Sequence, residues 1–219
     1  MGFSPASAIA GLVGPAHFFY APSTVARPAK LDDVIGLSTP YAPKTGWLGG
    51  GQTTDTTDYS REFDGEELET QQGGIVMRKL TQANRSVTVP LANVTPELTR
   101  IAEAAPPLET IAVGAAASGT PAQTGVHLGL PVSLPRYRVA VIAEQPAELT
   151  SSREAATRGP LVGILGYSAT IAMDDSDTEI GSDEFASREF TFDFYADLSV
   201  TDSEKQHGKV VFESGLVIP

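Results

Sequence analysis

The apolar positions of this chain fall mostly into short alternating runs, the signature of strands with one buried face and one solvated face. The cleanest run spans 188–197, where Phe190, Phe192 and Phe194 point one way and Glu189, Thr191, Asp193 and Tyr195 the other. Strand patterning also marks 136–143, 161–173 and 208–215. Residues 59–71 alternate less regularly and predict a strand broken near Asp64 and Gly65, a turn dipeptide. Two strands are predicted at about 75–81 and 85–92, joined by Gln82, Ala83 and Asn84, a connection of tight-hairpin length. In the second, Val87, Val89 and Leu91 share a face, and Arg85 breaks the pattern at its mouth. Pro90 cannot donate a ladder hydrogen bond, which marks a bulge or an edge.

A helical signal appears at 95–104. Thr95 is a suitable N-cap, Pro96 suits the first helical position, and Glu97 lies beside the positive end of the helix. Leu98, Ile101 and Ala102 form its apolar stripe, and Pro106 and Pro107 stop it. Loops are predicted over 49–58 (Gly, Gln, Thr and Asp only) and 174–184 (acidic), 111–131 (small residues) reads as an exposed loop or a partner-dependent segment, and strand patterning pauses through the polar stretch 144–159. Many strands, one helix and no βαβ rhythm predict a mainly β fold, a β-sandwich or half-open barrel with one flanking helix.

Residues 21–45 carry Pro22, Pro28, Pro40 and Pro43 and read as irregular structure. The apolar stretch 4–20 resembles a signal peptide only superficially. The first basic residue is Arg27, and prolines and glycines interrupt the stretch, so the positive n-region and unbroken h-region are missing. It reads instead as an arm that packs on its own domain or on a neighbouring subunit. The predicted organisation is an extended N-terminal arm over 1–45 and a single domain over 46–219. A length of 219 residues is enough for one sizeable core.

Composition narrows the function. With no cysteine there is neither a disulfide framework nor a thiolate metal site, and no apolar run is long enough to span a membrane. A net charge of −12 opposes gripping nucleic acid, which needs Lys and Arg against phosphate. The same charge suits a wall past which DNA slides, because like charge removes sticking points.

No local motif carries chemistry. His17, His127 and His207 sit in different segments, none at metal-ligand spacing. The acidic loop from Asp174 fails the EF-hand pattern, with Glu179 where glycine is required and Phe185 where glutamate is required. Gly49, Gly50 and Gly51 lack phosphate-loop spacing and read as flexible backbone. No G-x-S-x-G elbow occurs. The carboxylates Glu62, Asp64, Glu66, Glu67 and Glu69 read most simply as a charged sheet face. Catalytic, cofactor-binding and metal-binding residues are therefore expected to be none, and the protein is not expected to be an enzyme.

The order of features from Gly46 to Ala105 carries more information than any single motif. A glycine-bounded aromatic entry (Gly46 to Gly50) leads into an acidic segment (Tyr59 to Gln72) and an arginine-bearing strand pair (75–81 and 85–92). The capped helix from Thr95 follows, and an aromatic alternating strand lies near the C-terminus. In this order the chain resembles the major tail proteins, or tail tube proteins, of long-tailed, siphovirus-like bacteriophages. The resemblance implies a β-sandwich with a flanking helix, forming a β-barrel tube on oligomerisation through stacked rings, typically hexameric. It implies a structural virion protein that assembles in the host cytoplasm, encloses the tape-measure protein and conducts DNA during ejection. Its partners would be other copies of itself, the tape-measure protein, and tail terminator and distal tail proteins. DNA would pass without sequence-specific binding, and the protein would not insert in a membrane.

Six copies at −12 each would give a ring a formal charge of −72. The lumen-facing candidates are Glu67, Glu69, Glu189, Asp193 and Asp197. The apolar arm is longer than the resemblance requires. The alternative function is a soluble β-sandwich binding module, virion-surface or carbohydrate-binding. That reading needs an aromatic-lined groove from a chain with one Trp and 7% aromatic residues.

Overall fold

A computed structural model describes residues 16–36, 42–69, 75–91, 95–105, 107, 109–111, 123–127, 133–144, 160–172, 178–179 and 187–213. Of these, 64, 66–69, 75–82, 109–111, 178–179 and 187 are described by their backbone alone. The architecture is mainly β with one α-helix among the described residues. Strands β1 (His17–Pro22), β2 (Leu48–Gln52), β3 (Asp58–Glu69) and β4 (Ile75–Leu91) precede helix α1 (Pro96–Ala102). After it come β5 (Glu109–Ile111), β6 (Gln123–Gly125), β7 (Tyr137–Glu144), β8 (Leu161–Ile171), β9 (Thr178–Glu179), β10 (Ser187–Phe194) and β11 (Gly208–Phe212).

Nine strands form one antiparallel sheet in the order β2-β1-β7-β8-β10-β4-β3, with β11 on β8 and β9 on β10; β5 and β6 pair separately. The sheet curls back on itself. Just past β2, Thr53 bridges Leu91 of β4, and the Thr54 amide donates to the Pro90 carbonyl at 2.9 Å. The path from β2 to β4 is thus a half-open barrel, joined at one end, from which β3 and the outer part of β4 project as a hairpin arm. β4 is last paired to β3 at Thr88, so Pro90 sits at this sparse junction, where its missing donor forgoes no ladder bond.

The barrel interior follows from alternation. Phe190, Phe192 and Phe194 of β10 point inward with Val87, Val89 and Leu91 of β4. Phe18 and Tyr20 of β1, and Val139 and Val141 of β7, complete the lining. The Phe18 and Phe192 rings stack with centroids 5.2 Å apart. Helix α1 adds Leu98 and Ile101, both buried, to this core.

The helix ends are satisfied locally. The Thr95 hydroxyl accepts from the Leu98 amide at 3.2 Å. At the other end Ala104 takes φ +45°, and the Ala105 amide reaches the Arg100 carbonyl at 2.9 Å, a Schellman closure with alanine where glycine is usual. Arg188 of β10 fastens the helix from outside through an ion pair with Glu103 at 3.0 Å.

A second apolar cluster lies on the outer surface of β1, β7 and β8. Residues 23–36 and 42–47 wrap over it, setting Leu31, Val34, Ile35 and Trp47 against Phe19, Ala21, Ala140, Ile142, Leu161, Leu165 and Tyr167. This explains why β7 is nearly continuously apolar, since both of its faces are buried. The expected arm over 1–45 is corrected here: His17–Pro22 is a strand between β2 and β7, integral to the barrel. Residues 1–15 lie outside the described residues.

Three further expectations are corrected. Gln82, Ala83 and Asn84 do not turn; β4 runs through them as one strand of 17 residues. The connection between β3 and β4 instead falls at 70–74, outside the described residues. No glycine stands at 82–84 to favour a tight turn, and β3 supplies a pairing partner along the whole length. The predicted break at Asp64 and Gly65 is a register shift within an unbroken strand. Gly49, Gly50 and Gly51 belong to β2, not to a loop. Gly50 is the residue skipped between Phe18↔Gly51 and Phe19↔Gly49, and a Cβ there would lie 2.2 Å from the Phe18 ring. Gly51 takes φ +103°, a conformation L side chains rarely adopt.

Candidate functional site: the polar face and the hairpin arm

Across β8, β10, β4 and β3 the register sorts residues into alternating rows. Ile171, Phe192, Val87 and Tyr59 form one row, on the side of the core. The next row is Thr170, Asp193, Ser86 and Ser60, polar throughout and on the opposite face. Thr191 and Thr88 continue that face, their hydroxyls 3.0 Å apart, and Glu189 lies beyond them, exposed. A strict two-residue period therefore gives this part of the sheet one apolar and one polar face. No apolar cladding comparable to residues 23–47 lies over the polar face among the described residues.

Where β10 ends, this face deepens into a concavity of about 590 Å³. Ser60, Glu62, Asn84, Ser86 and Asp193 line it with Tyr195 and His207. Burial, and secondarily the positive charge of Arg85, lower the pKa of His207 below its ordinary value. No cysteine is present to add a thiolate to this concavity. Nor do three or more His, Cys, Asp or Glu converge on a metal site among the described residues. Arg85 has its Nε shielded from solvent with no hydrogen-bond acceptor. The single Trp47 is buried under the N-terminal wrap and unavailable to any groove.

The arm extends this face. Among the described residues, β3 has no strand on its far side, and β10 leaves β4 at Ser86, so no strand pairs with 75–85 on that side. At about 3.3 Å per residue, the eight residues 62–69 carry the arm roughly 25 Å beyond the barrel. The strands differ in charge. β3 carries Asp58, Glu62, Asp64, Glu66, Glu67 and Glu69 against one Arg61, whereas β4 carries Arg78, Lys79 and Arg85 and no acid. On β3, Tyr59 and Phe63 are exposed, with the Arg61 guanidinium over the Phe63 ring.

The five lumen candidates separate. Glu189 is exposed and Asp193 half-buried on the polar face. Glu67 and Glu69 pair in register with Arg78 and Ile75 on the arm, and their side chains lie outside the described residues. Asp197 is elsewhere: past the end of β10, its carboxylate is 13% exposed and bonded to Arg138 at 3.0 Å. The Ser199 hydroxyl at 2.6 Å, and then Arg138, hold its pKa below the usual carboxylate range. Asp197 is a structural anchor, because its charge is already matched inside the fold.

Arg138 is the residue that sequence reasoning missed. It lies where the β7–β8 register shifts between Tyr137 and Val139, a bulge that turns β8 over. Leu161, Leu165 and Tyr167 face the outer cluster, whereas Ala169 and Ile171 face the barrel interior. The guanidinium donates to the Tyr167 carbonyl at the bulge, to Val25 O at 2.8 Å and to Ser23 O at 3.2 Å. One side chain thus ties the wrap, the bulge and Asp197 together. The signal in the sequence is a lone arginine entering an apolar strand.

No protein-family model matches this chain, and no curated protein matches it.

Proposed function

We propose that this protein is a structural component of a virion, a tail tube subunit of a long-tailed bacteriophage. Copies assemble into stacked, hexameric rings that enclose the tape-measure protein and later conduct DNA without reading its sequence. Tail terminator and distal tail proteins cap the two ends, and assembly proceeds in the host cytoplasm. The chain catalyses no reaction in this role.

The observation that carries the reading is the β10-β4-β3 sheet, with one face in the core and, among the described residues, one polar face without cladding and an arm with two unpaired edges. A polar face without cladding suits a water-filled lumen. Long unpaired edges are a hazard for a monomer, and closing a ring removes them. The resemblance over 46–105 points the same way. Among the described residues no helix is long and apolar enough to cross a membrane.

Size-exclusion light scattering, with negative-stain microscopy on the same fractions, tests the reading. Rings or tubes of uniform diameter are the expected result. A monodisperse monomer at every salt and protein concentration, even with a tail initiator complex added, would overturn it.

A further inference from the structure

We infer that the ring closes arm to arm: the outer edge of β3 in one copy lies against the open edge of β4, residues 75–85, in the next. This inference rests on the assembly reading above and names which surfaces meet. Three observations carry it.

The first is length. Among the described residues, β3 offers 12 residues of unpaired outer edge, and β4 a run of 11 from Ile75 to Arg85 with no strand on its other side. The second is direction. Copies related by rotation about an axis along the arm keep all β4 strands parallel. A neighbour's β3, antiparallel to its own β4, then also runs antiparallel to the β4 it meets, continuing the alternation of the sheet.

The third is charge. β3 has six carboxylates and one arginine, a formal −5, and β4 has three basic residues and no acid, a formal +3. Seating β3 against β4 places a basic strand between two acidic ones and repeats that order around the ring. Pairing β3 with β3 about a two-fold axis would set carboxylates opposite carboxylates, which is destabilising. Arg85 stands at the root of this β4 edge, where β10 leaves it. An incoming β3 would bring main-chain carbonyls and Glu or Asp side chains to that edge.

The contact is heterologous, so it closes rings and does not stop at a dimer. Backbone ladder bonds supply the adhesion, and the acid-base order selects the register and the partner.

The chain has no cysteine, so introduced thiols are the only ones present. Glu62→Cys and Asn84→Cys are placed on β3 and β4 at exposed positions. The two variants are prepared separately, checked for native Trp47 emission, mixed, assembled and treated with a short bis-maleimide. Microscopy of the same sample reports whether rings form. The expected result is rings, with the mixed E62C–N84C product several-fold above either homodimer. Rings in which the mixed product does not exceed the E62C homodimer would overturn the arm-to-arm contact and leave the tube reading standing. Failure of both variants and the natural chain to assemble would overturn both.

A second measurement separates charge from fold. Arg85→Glu should raise the protein concentration needed for assembly at least several-fold. Lys44→Glu, the same charge change at an exposed site away from the arm, should leave it unchanged. Equal effects would count against β4 as the acceptor.

Discussion

The two flanks of the barrel are built from the same kind of strand and differ in what covers them. On the β1-β7-β8 flank both faces are apolar, and residues 23–36 and 42–47 bury the outer one under Leu31, Val34, Ile35 and Trp47. On the β10-β4-β3 flank Phe190, Phe192, Val87 and Val89 make the inner face apolar, but the outer face is a field of Thr, Ser, Asp and Glu without such cladding among the described residues. The first flank is finished within one chain. On the second, among the described residues, only one side is covered and no strand pairs with the hairpin's outer edges. Stability is therefore expected to be concentrated on the clad flank, and the proposed assembly would use the bare one.

That division can be broken at its joint. Arg138→Met removes the ion pair with Asp197 and leaves the carbonyls of Ser23, Val25 and Tyr167 without their donor. A loss of about 3–5 kcal/mol in denaturant unfolding is expected, as for breaking a buried pair by removing one partner. The same pair sets a pH dependence. The folded pKa of Asp197 lies below its unfolded value, so its contribution is present above the unfolded value, about 3.9, and is lost as pH falls through the folded one. An acid titration of the unfolding midpoint should fall more steeply for the natural chain than for the Arg138→Met variant.

Ile35→Ala tests the cladding itself. Ile35 is fully buried, and its truncation should cost about 2–5 kcal/mol. Buried Trp47, the only tryptophan, reports the event as a red shift in emission if the wrap lifts. Gly50→Ala probes the seam where β2 meets β1. A Cβ 2.2 Å from the packed Phe18 ring should cost about 1–3 kcal/mol by overpacking. The matched change on the bare flank is Thr191→Ala. It removes one hydroxyl contact with Thr88 and should cost less than about 1 kcal/mol in the monomer. A cost at Thr191 equal to that at Ile35 would erase the distinction between the flanks.

The sequence discloses the parts of the fold whose signal is local. The phenylalanines of β10 alternate because a single strand needs nothing else to define its faces, and Thr95 and Pro96 announce a helix start within one turn. β2 was illegible because glycines carry no hydrophobic period. Its strand character comes from Phe18, some thirty residues earlier in the chain, which leaves no room for a side chain at Gly50. The continuity of β4 was hidden for a related reason. Gln82 to Asn84 lie where the arm leaves the barrel, so burial imposes no alternation there, and only the cross-strand partners in β3 show that the chain runs straight.

The candidate site was legible in outline. Glu189 and Asp193 lie on the polar face that their alternation implied. Asp197 continued the same count, but β10 ends at Phe194 and the chain turns away toward Arg138. Periodicity does not reveal where a strand ends when the next residues remain polar. Nor does it reveal a partner 59 residues distant.

The central claim is that the bare β10-β4-β3 face lines a conduit. A cryo-electron microscopy map of the self-assembled protein at side-chain resolution tests it most directly. Glu189 and Asp193 are expected on the lumen wall, the arms side by side around the axis, and Trp47 under the wrap on the outer flank. A tube with residues 23–47 facing the lumen and Glu189 on its exterior would contradict it.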